Sequence, residues 1–363
     1  MAQSRKARAD LATIEAEEAP RRDTVVVGAS AGGVAPLRTL LAQLPRNFGG
    51  SVFVVQHLAP HAASYLADAL QAATPLSVQF VENAQRIAPG RVYVAPPDRH
   101  LIVVDDTVHL ATGPRENRMR PSINPLFLTA AATRNSRTVA VLLSGTLDDG
   151  IAGLVAVKRC GGIVIVQDPA EARFGDMPRK ALESVEVDHV LRVEQMGALL
   201  LSLSREYAPL VVVPRDLIIE GQLATGSWIG AVETIGECQP VACPECGGTL
   251  WKVGNNDTAV YRCGVGHAWS TSALLDQQSE EIERALWVAV RLLDERALVL
   301  QSIANHAERR GRPSDREHTA AAEASEQAQA VRRVLAGLRA RQAAVPAAPR
   351  GTEPTASRSA VKG

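Results

Sequence analysis

Thr24-Val25-Val26-Val27-Gly28-Ala29-Ser30-Ala31-Gly32-Gly33-Val34 is the stretch that decides the reading of this chain. Four β-branched residues run without a break into a glycine-rich turn, and a helical pattern with Pro36 in its first turn follows at once. A continuous apolar run marks a strand buried on both faces, which is the habit of parallel sheets covered by helices. Working outward, the unit recurs in SVFVVQH (51–57), RTVAVLLSG (137–145) and GIVIVQD (162–168), each followed by an amphipathic stretch. The expected fold is therefore α/β, a doubly wound, mostly parallel sheet. LIVV, Asp105-Asp106 and TVHLA read instead as a tight antiparallel hairpin near a sheet edge. Behind this, a Cys cluster and two helical segments are expected, Ser270 to about Ala304 and Ser314 to about Gln342. Ile282, Leu286, Ala289, Leu293 and Ile303 form the apolar stripe of the first.

The layout that follows is a disordered tail over 1–22, the α/β domain over 23–205 and an irregular linker over 206–240. A metal ribbon over 241–270, a helical segment over 271–342 and a low-complexity tail over 343–363 complete it. The 363 residues are 46% hydrophobic, enough for a sizeable core, and 39 basic residues balance 39 acidic ones. That balance gives no electrostatic reason to expect nucleic acid. No secretory signal and no apolar run of membrane-spanning length are present, so no membrane insertion is expected. Five cysteines, four of them crowded between Cys238 and Cys263, suit a reduced cytoplasmic setting better than a disulfide framework.

Two chemistries use a turn like 28–33. A dinucleotide site wants glycine at position 30 and a carboxylate about 20 residues on; here stand Ser30 and, at the next strand end, Gln56-His57. The alternative is a G-x-S-x-G turn, which exposes a serine beside free helix N–H groups able to stabilise an oxyanion. The motif alone is equally compatible with a serine that merely caps its helix. The next strand ends add weight: His57 closes SVFVVQH, and Asp149 follows the strand in LLSGTLDDG. Serine, histidine and aspartate at neighbouring strand ends are the types needed for nucleophile, general base and orienting carboxylate. Their chain order differs from that of α/β-hydrolases.

With these residues in place, 23–200 resembles the catalytic domain of the chemotaxis-receptor methylesterases of CheB type. The resemblance rests on VVVGASAGG, VVQHLAP, NAQRIAPGRVYVAPPDRHL, RPSINPLF, LLSGTLDDG and QDPAEARFGDMPRKAL, six blocks in order. It implies a serine esterase with Ser30 as nucleophile, His57 as base and Asp149 as its partner, needing no cofactor for catalysis. The implied substrates are glutamate γ-methyl esters on methyl-accepting chemotaxis receptors or related signalling proteins, with glutamine deamidation as a side activity. Asn124, Met177 and Pro178 fall in neighbouring loops without an assigned role. The chain departs from the family at Ala31 and at the last turn, where Thr146 and Leu147 stand for the family's Met and Gly. Register alone selects Asp149 over Asp148. The family's usual receiver domain is not expected in the 22 residues before the first strand, nor therefore control by phosphorylation of this chain. A catalytically weak signalling or adaptor module on the same domain is the alternative.

Cys243-x2-Cys246, 16 residues, then Cys263-x3-His267 has zinc-ribbon spacing. Three thiolates and one imidazole close a tetrahedral site, so the zinc expected here is structural. Cys160 reads as a small buried residue at a helix end.

Overall fold

The computed structural model describes residues 20–58, 64–225, 231–254 and 258–343, with side chains described to 338. The chain divides into two units, up to Asp276 and from Gln277 onward.

The first unit is built on a seven-stranded sheet. Its strands are β1 (Thr24–Ala29), β2 (Ser51–Gln56), β3 (Ser77–Phe80), β5 (Arg91–Val94), β8 (Thr138–Leu142), β9 (Ile163–Gln167) and β10 (His189–Leu191). The order is β10-β9-β8-β1-β2-β5-β3, and every pairing is parallel. Between β1 and β8 the winding reverses direction, which opens a crevice at the carboxyl ends of these strands. The expected α/β architecture is present, with the hairpin displaced: β6 (His100–Val104) and β7 (Thr107–Ala111) join β4 (Gln85–Arg86) in a separate three-stranded sheet.

Alternate residues of each strand feed opposite cores. Val25, Val27, Val52, Val54 and Val141 pack against α1 (Val34–Ala42), α2 (Leu66–Gln71) and α6 (Val193–Leu203). Val26, Phe53, Ala140 and Leu142 pack against α3 (Ile123–Arg134), α4 (Ile151–Arg159) and α5 (Asp176–Ser184). At roughly 25 cal/mol per Å² of apolar surface, these two layers are the dominant stabilising term of the fold. Gly28 lets α3 lie close on β1, since a Cβ there would meet Ile123 Cγ2 at 2.4 Å. Cys160 caps the end of α4 and is fully buried.

Two sequence expectations need correction. The stretch 206–240 is not irregular: it holds α7 (Arg215–Ala224), a 3-10 turn (Ala231–Thr234) and β11 (Glu237–Ala242). Leu217, Gly221 and Ala224 supply one buried stripe, too short for periodicity alone to register. The tail expected over 1–22 lies outside the described residues up to 19. Its last residues are held, with Arg22 buried and its guanidinium donating to the Ser136 carbonyl across 2.6 Å. The tail expected over 343–363 lies outside the described residues except for Ala343.

The Cys cluster sits on a four-stranded antiparallel sheet of β11, β12 (Thr249–Val253), β13 (Val260–Cys263) and β14 (Ala268–Ser270). Its core is small: Leu250, Trp269, Ala273 and Leu274 with two of the cysteines. From β14 the chain enters α8 (Thr271–Arg309), which continues into the second unit and is followed by α9 (Asp315–Ala343). Within that unit Arg332 reaches Asp294, so the helices run antiparallel, and its buried residues are mostly small, among them Ala304, Ala321, Ala324 and Ala328. Ile282 and Ile303 of the expected stripe remain exposed. No described helix is long and apolar enough to cross a membrane.

Candidate active site

Three strand ends at the reversal point bring the predicted residues together. Ser30 follows β1, His57 follows β2 and Asp149 follows β8. Backbone hydrogen bonds hold these ends in register: Ser30 N–H donates to Ser144 O, and His57 N–H to Ala29 O. Gly32 completes the serine turn with φ +71°, a left-handed conformation open to glycine without strain. Ser144 braces the turn from below, donating its hydroxyl to Ala31 O at 2.9 Å and receiving Phe174 N–H.

Ser30 Oγ lies 2.9 Å from His57 Nδ1, and His57 Nε2 lies 2.7 Å from Asp149 Oδ2. Because the carboxylate can only accept, Nε2 carries the proton and Nδ1 is free to accept from the serine hydroxyl. The imidazole is thus used in the opposite sense to the chymotrypsin-type arrangement, where the carboxylate meets Nδ1. Ser30 and Asp149 are buried, at 8% and 2% exposure, so their mutual electrostatics are little screened by water.

The carboxylate has further partners that the sequence reading missed. Ser122 Oγ donates to Asp149 Oδ1 at 2.8 Å, Ile123 N–H to Oδ2 at 2.6 Å and Asn124 N–H to Oδ1 at 3.4 Å. These groups form the start of α3, so Asp149 occupies the amino end of a helix to which it does not belong, a favourable place for an anion. Burial opposes the charge of Asp149. The hydrogen bonds from His57, Ile123 and Ser122 more than offset this and hold its carboxyl below the usual range. The only sequence signal was a serine directly before an apolar helical run, in a place where it should have capped its own helix. Asn124 is not in a loop but in α3, where its Oδ1 accepts the N–H groups of Gly150 and Gly153. Met177 and Pro178 likewise belong to α5, and Met177 N–H donates to Gly145 O.

Asp148 points elsewhere, accepting from Ser270 Oγ at 2.9 Å and Ser272 Oγ at 2.5 Å. Leu147 takes φ +67° with 44% exposure, so the position read as a family glycine keeps glycine's conformation under a leucine.

Beside Ser30 a cleft of about 490 Å³ is lined by Ala31, Gly32, Gln56, His57, Arg38 and Arg173. The backbone N–H groups of Ala31 and Gly32 make no hydrogen bond to a described residue, and both residues line the same cleft as Ser30. Donors so placed are able to receive an oxyanion.

In the ribbon, one ligand atom each from Cys243, Cys246, Cys263 and His267 lies within 4.8 Å of all the others. Cys246 Sγ is 3.6 Å from Cys263 Sγ, and His267 Nδ1 is 3.5 Å from Cys263 Sγ. A tetrahedral ion with bonds of about 2.3 Å would set sulfurs about 3.8 Å apart, so the donor set fits a metal. The Cys263 thiol hydrogen-bonded to it draws the Cys243 thiol well down, against burial and with help from the N–H groups of Cys246 and Glu245. Glu245 also holds His267 Nε2 at 2.7 Å, leaving Nδ1 to face the cysteines.

A serine on a strand-to-helix turn, aligned with a histidine and a buried carboxylate at a sheet's reversal point, is the constellation of an α/β serine hydrolase. The CheB methylesterase family model matches residues 25–200. A Leptospira interrogans protein named for protein-glutamate methylesterase and protein-glutamine glutaminase is 36% identical over 184 residues, covering 50% of this chain and 95% of its own. An Anaeromyxobacter dehalogenans protein-glutamate methylesterase/protein-glutamine glutaminase is 37% identical over 187 residues, 52% of this chain and 55% of its own. The solved Thermotoga maritima CheB methylesterase catalytic domain is 34% identical, covering 50% of this chain and 98% of its own with a TM-score of 0.48. The chain belongs to the CheB methylesterase family.

Proposed function

We propose that the chain is a serine esterase that hydrolyses glutamate γ-methyl esters on chemotaxis receptors or receptor-like signalling proteins, and deamidates glutamine in the same site. The observation that carries this reading is the unbroken series Ser30–His57–Asp149, with Asp149 fixed at the head of α3. Ser30 Oγ attacks the ester carbonyl while His57 Nδ1 takes its proton. Charge on the carbonyl oxygen is met by the N–H groups of Ala31 and Gly32. Collapse expels methoxide, which leaves as methanol with the proton from His57, and a γ-glutamyl ester on Ser30 remains. Water, deprotonated by the same nitrogen, releases the glutamate carboxylate. Glutamine follows the same path with ammonia as leaving group.

Residues 23–205 form the esterase domain in this reading, and 241–270 a ribbon holding one structural zinc ion through Cys243, Cys246, Cys263 and His267. Four protein ligands leave no open position for substrate. Free thiols and a zinc ribbon suit a cytoplasmic protein. The test is methanol release from a methylated receptor fragment, together with mapping of the residue labelled by a fluorophosphonate. Label on Ser30 and turnover lost in Ser30→Ala are expected; normal turnover in Ser30→Ala would refute the reading.

A further inference from the structure

The ribbon lies against the two segments that hold the triad's carboxylate. On one side, Asp148 accepts the hydroxyls of Ser270 and Ser272, one on each carboxylate oxygen. Ser270 Oγ also receives Ala273 N–H, so the same hydroxyl caps α8 and binds Asp148. The Asp148 charge thereby sits at the amino end of a 39-residue helix, where an anion is favoured. On the other side, the segment leading to Ser122 is gripped at Glu116 and Asn117. Arg262 of β13 forms a buried ion pair with Glu116 at 2.8 Å, with exposures of 4% and 5%. Asn117 N–H donates to Ala268 O, and its Oδ1 receives Ser270 N–H at 2.7 Å.

Asp149 is the next residue after Asp148, and Ser122 is its hydroxyl donor. The turn that carries both aspartates holds one strained residue, Leu147 in the left-handed region, while Gly150 takes φ +97° as a glycine can. A short turn with a strained residue beside it keeps its geometry only when its surroundings over-determine it. Asn124 holds its far end through Gly150 and Gly153. Its near end has Asp148, and Asp148 is held by the ribbon.

We infer that Asp148 is a positioning residue for the esterase reaction, and that Ser270 and Ser272 clamp it so that the docked ribbon sets the aim of Asp149 at His57. The ribbon is then an intramolecular activator of the triad and not a passive appendage. This rests on the esterase reading of Ser30.

The test uses the full chain. Asp148→Asn, the paired change Ser270→Ala with Ser272→Ala, and the triple variant are compared with the unaltered protein. Each is assayed for methyl-ester kcat and KM per fluorophosphonate-titrated Ser30, and for amide exchange over residues 146–152. The serine pair leaves the Asp148 charge in place, which separates clamping from a simple field effect on His57. The expected result is a fall in kcat of about tenfold in Asp148→Asn and in the serine pair, from a misplaced base partner. KM should stay within about twofold, exchange should speed up, and the triple variant should lose little more than either parent. An unchanged kcat in the serine pair, or losses that multiply in the triple, overturns the proposal. So does a lower melting temperature with kcat per titrated serine intact, the mark of a purely structural contact. If the unaltered protein hydrolyses no ester, the esterase reading fails by itself. Amide exchange then still decides the clamp, and an unchanged rate in the serine pair overturns it.

Discussion

Ile123 N–H lies 2.6 Å from Asp149 Oδ2, the same oxygen that receives His57 Nε2. One carboxylate oxygen thus caps α3 and holds His57, so the α3 junction and the Ser30–His57 pair share a single group.

Ser30→Ala and His57→Ala should each remove nearly all turnover, by ~10⁴-fold or more, because triad members act as a unit. Asp149→Ala should lose turnover and stability together. It strands the donors at Ser122 and Ile123, at a cost of about 1–3 kcal/mol for the buried unsatisfied groups. Steady-state kinetics with thermal melts check both statements, and an Asp149→Ala protein that melts like the parent contradicts the second.

Ser122→Ala removes one donor to Asp149 and leaves His57 paired. Turnover should fall about tenfold with KM unchanged, because orientation and not substrate binding is affected. A raised KM at constant kcat would assign Ser122 to the substrate instead.

His100 donates from Nε2 to Pro114 O and accepts Ser122 N–H at Nδ1, so it supports the same junction in its neutral form. Burial lowers its pKa, against Glu116, the Pro114 hydrogen bond and Asp149, with Arg120 assisting. The unfolded chain takes up this proton near pH 6.5 and the folded one only lower, so stability should decline as pH falls below about 6.5. Melting temperatures between pH 8 and 5 should fall less steeply for His100→Gln than for the parent. Parallel curves would show that another group governs the acid limb.

Leu147→Gly should raise stability by up to about 1 kcal/mol, because the left-handed strain of a leucine exceeds the entropy cost of a glycine. The exposed side chain contributes little burial to lose. Denaturant midpoints decide it; a clear loss would mean that Leu147 packs against something in solution.

One zinc ion per chain should be found by elemental analysis of freshly purified protein. Cys263→Ser should abolish it and unravel the ribbon, whose own core is too small to stand without a metal. The esterase domain has its separate two-layer core and should keep its fold. Stoichiometric metal retained in Cys263→Ser would remove that cysteine from the ligand set.

Much of this was legible in the chain because it is local. Runs such as Thr24–Val27 report burial on both faces, and the two Cys/His pairs carry ligand spacing in adjacent residues. The helix Arg215–Ala224 was not legible, since three buried positions in ten residues make too weak a period and its stripe acquires meaning only against α3. The role of Ser122 was hidden for a similar reason: its hydroxyl serves a residue 27 positions away in place of its own helix.

By itself, the sequence determined the parallel α/β framework, the strand ends that carry Ser30, His57 and Asp149, and a Cys/His set with the spacing of a metal ribbon. Only the tertiary structure decided which nitrogen of His57 meets which partner, and why Asp149 and not Asp148 completes the series. Neighbouring side chains on a tight turn diverge, so Asp149 turns inward to the head of α3 while Asp148 turns out to Ser270 and Ser272. Two adjacent aspartates are the same letter in a sequence, and only the groups folded around them make one the partner of His57 and the other the partner of Ser270 and Ser272.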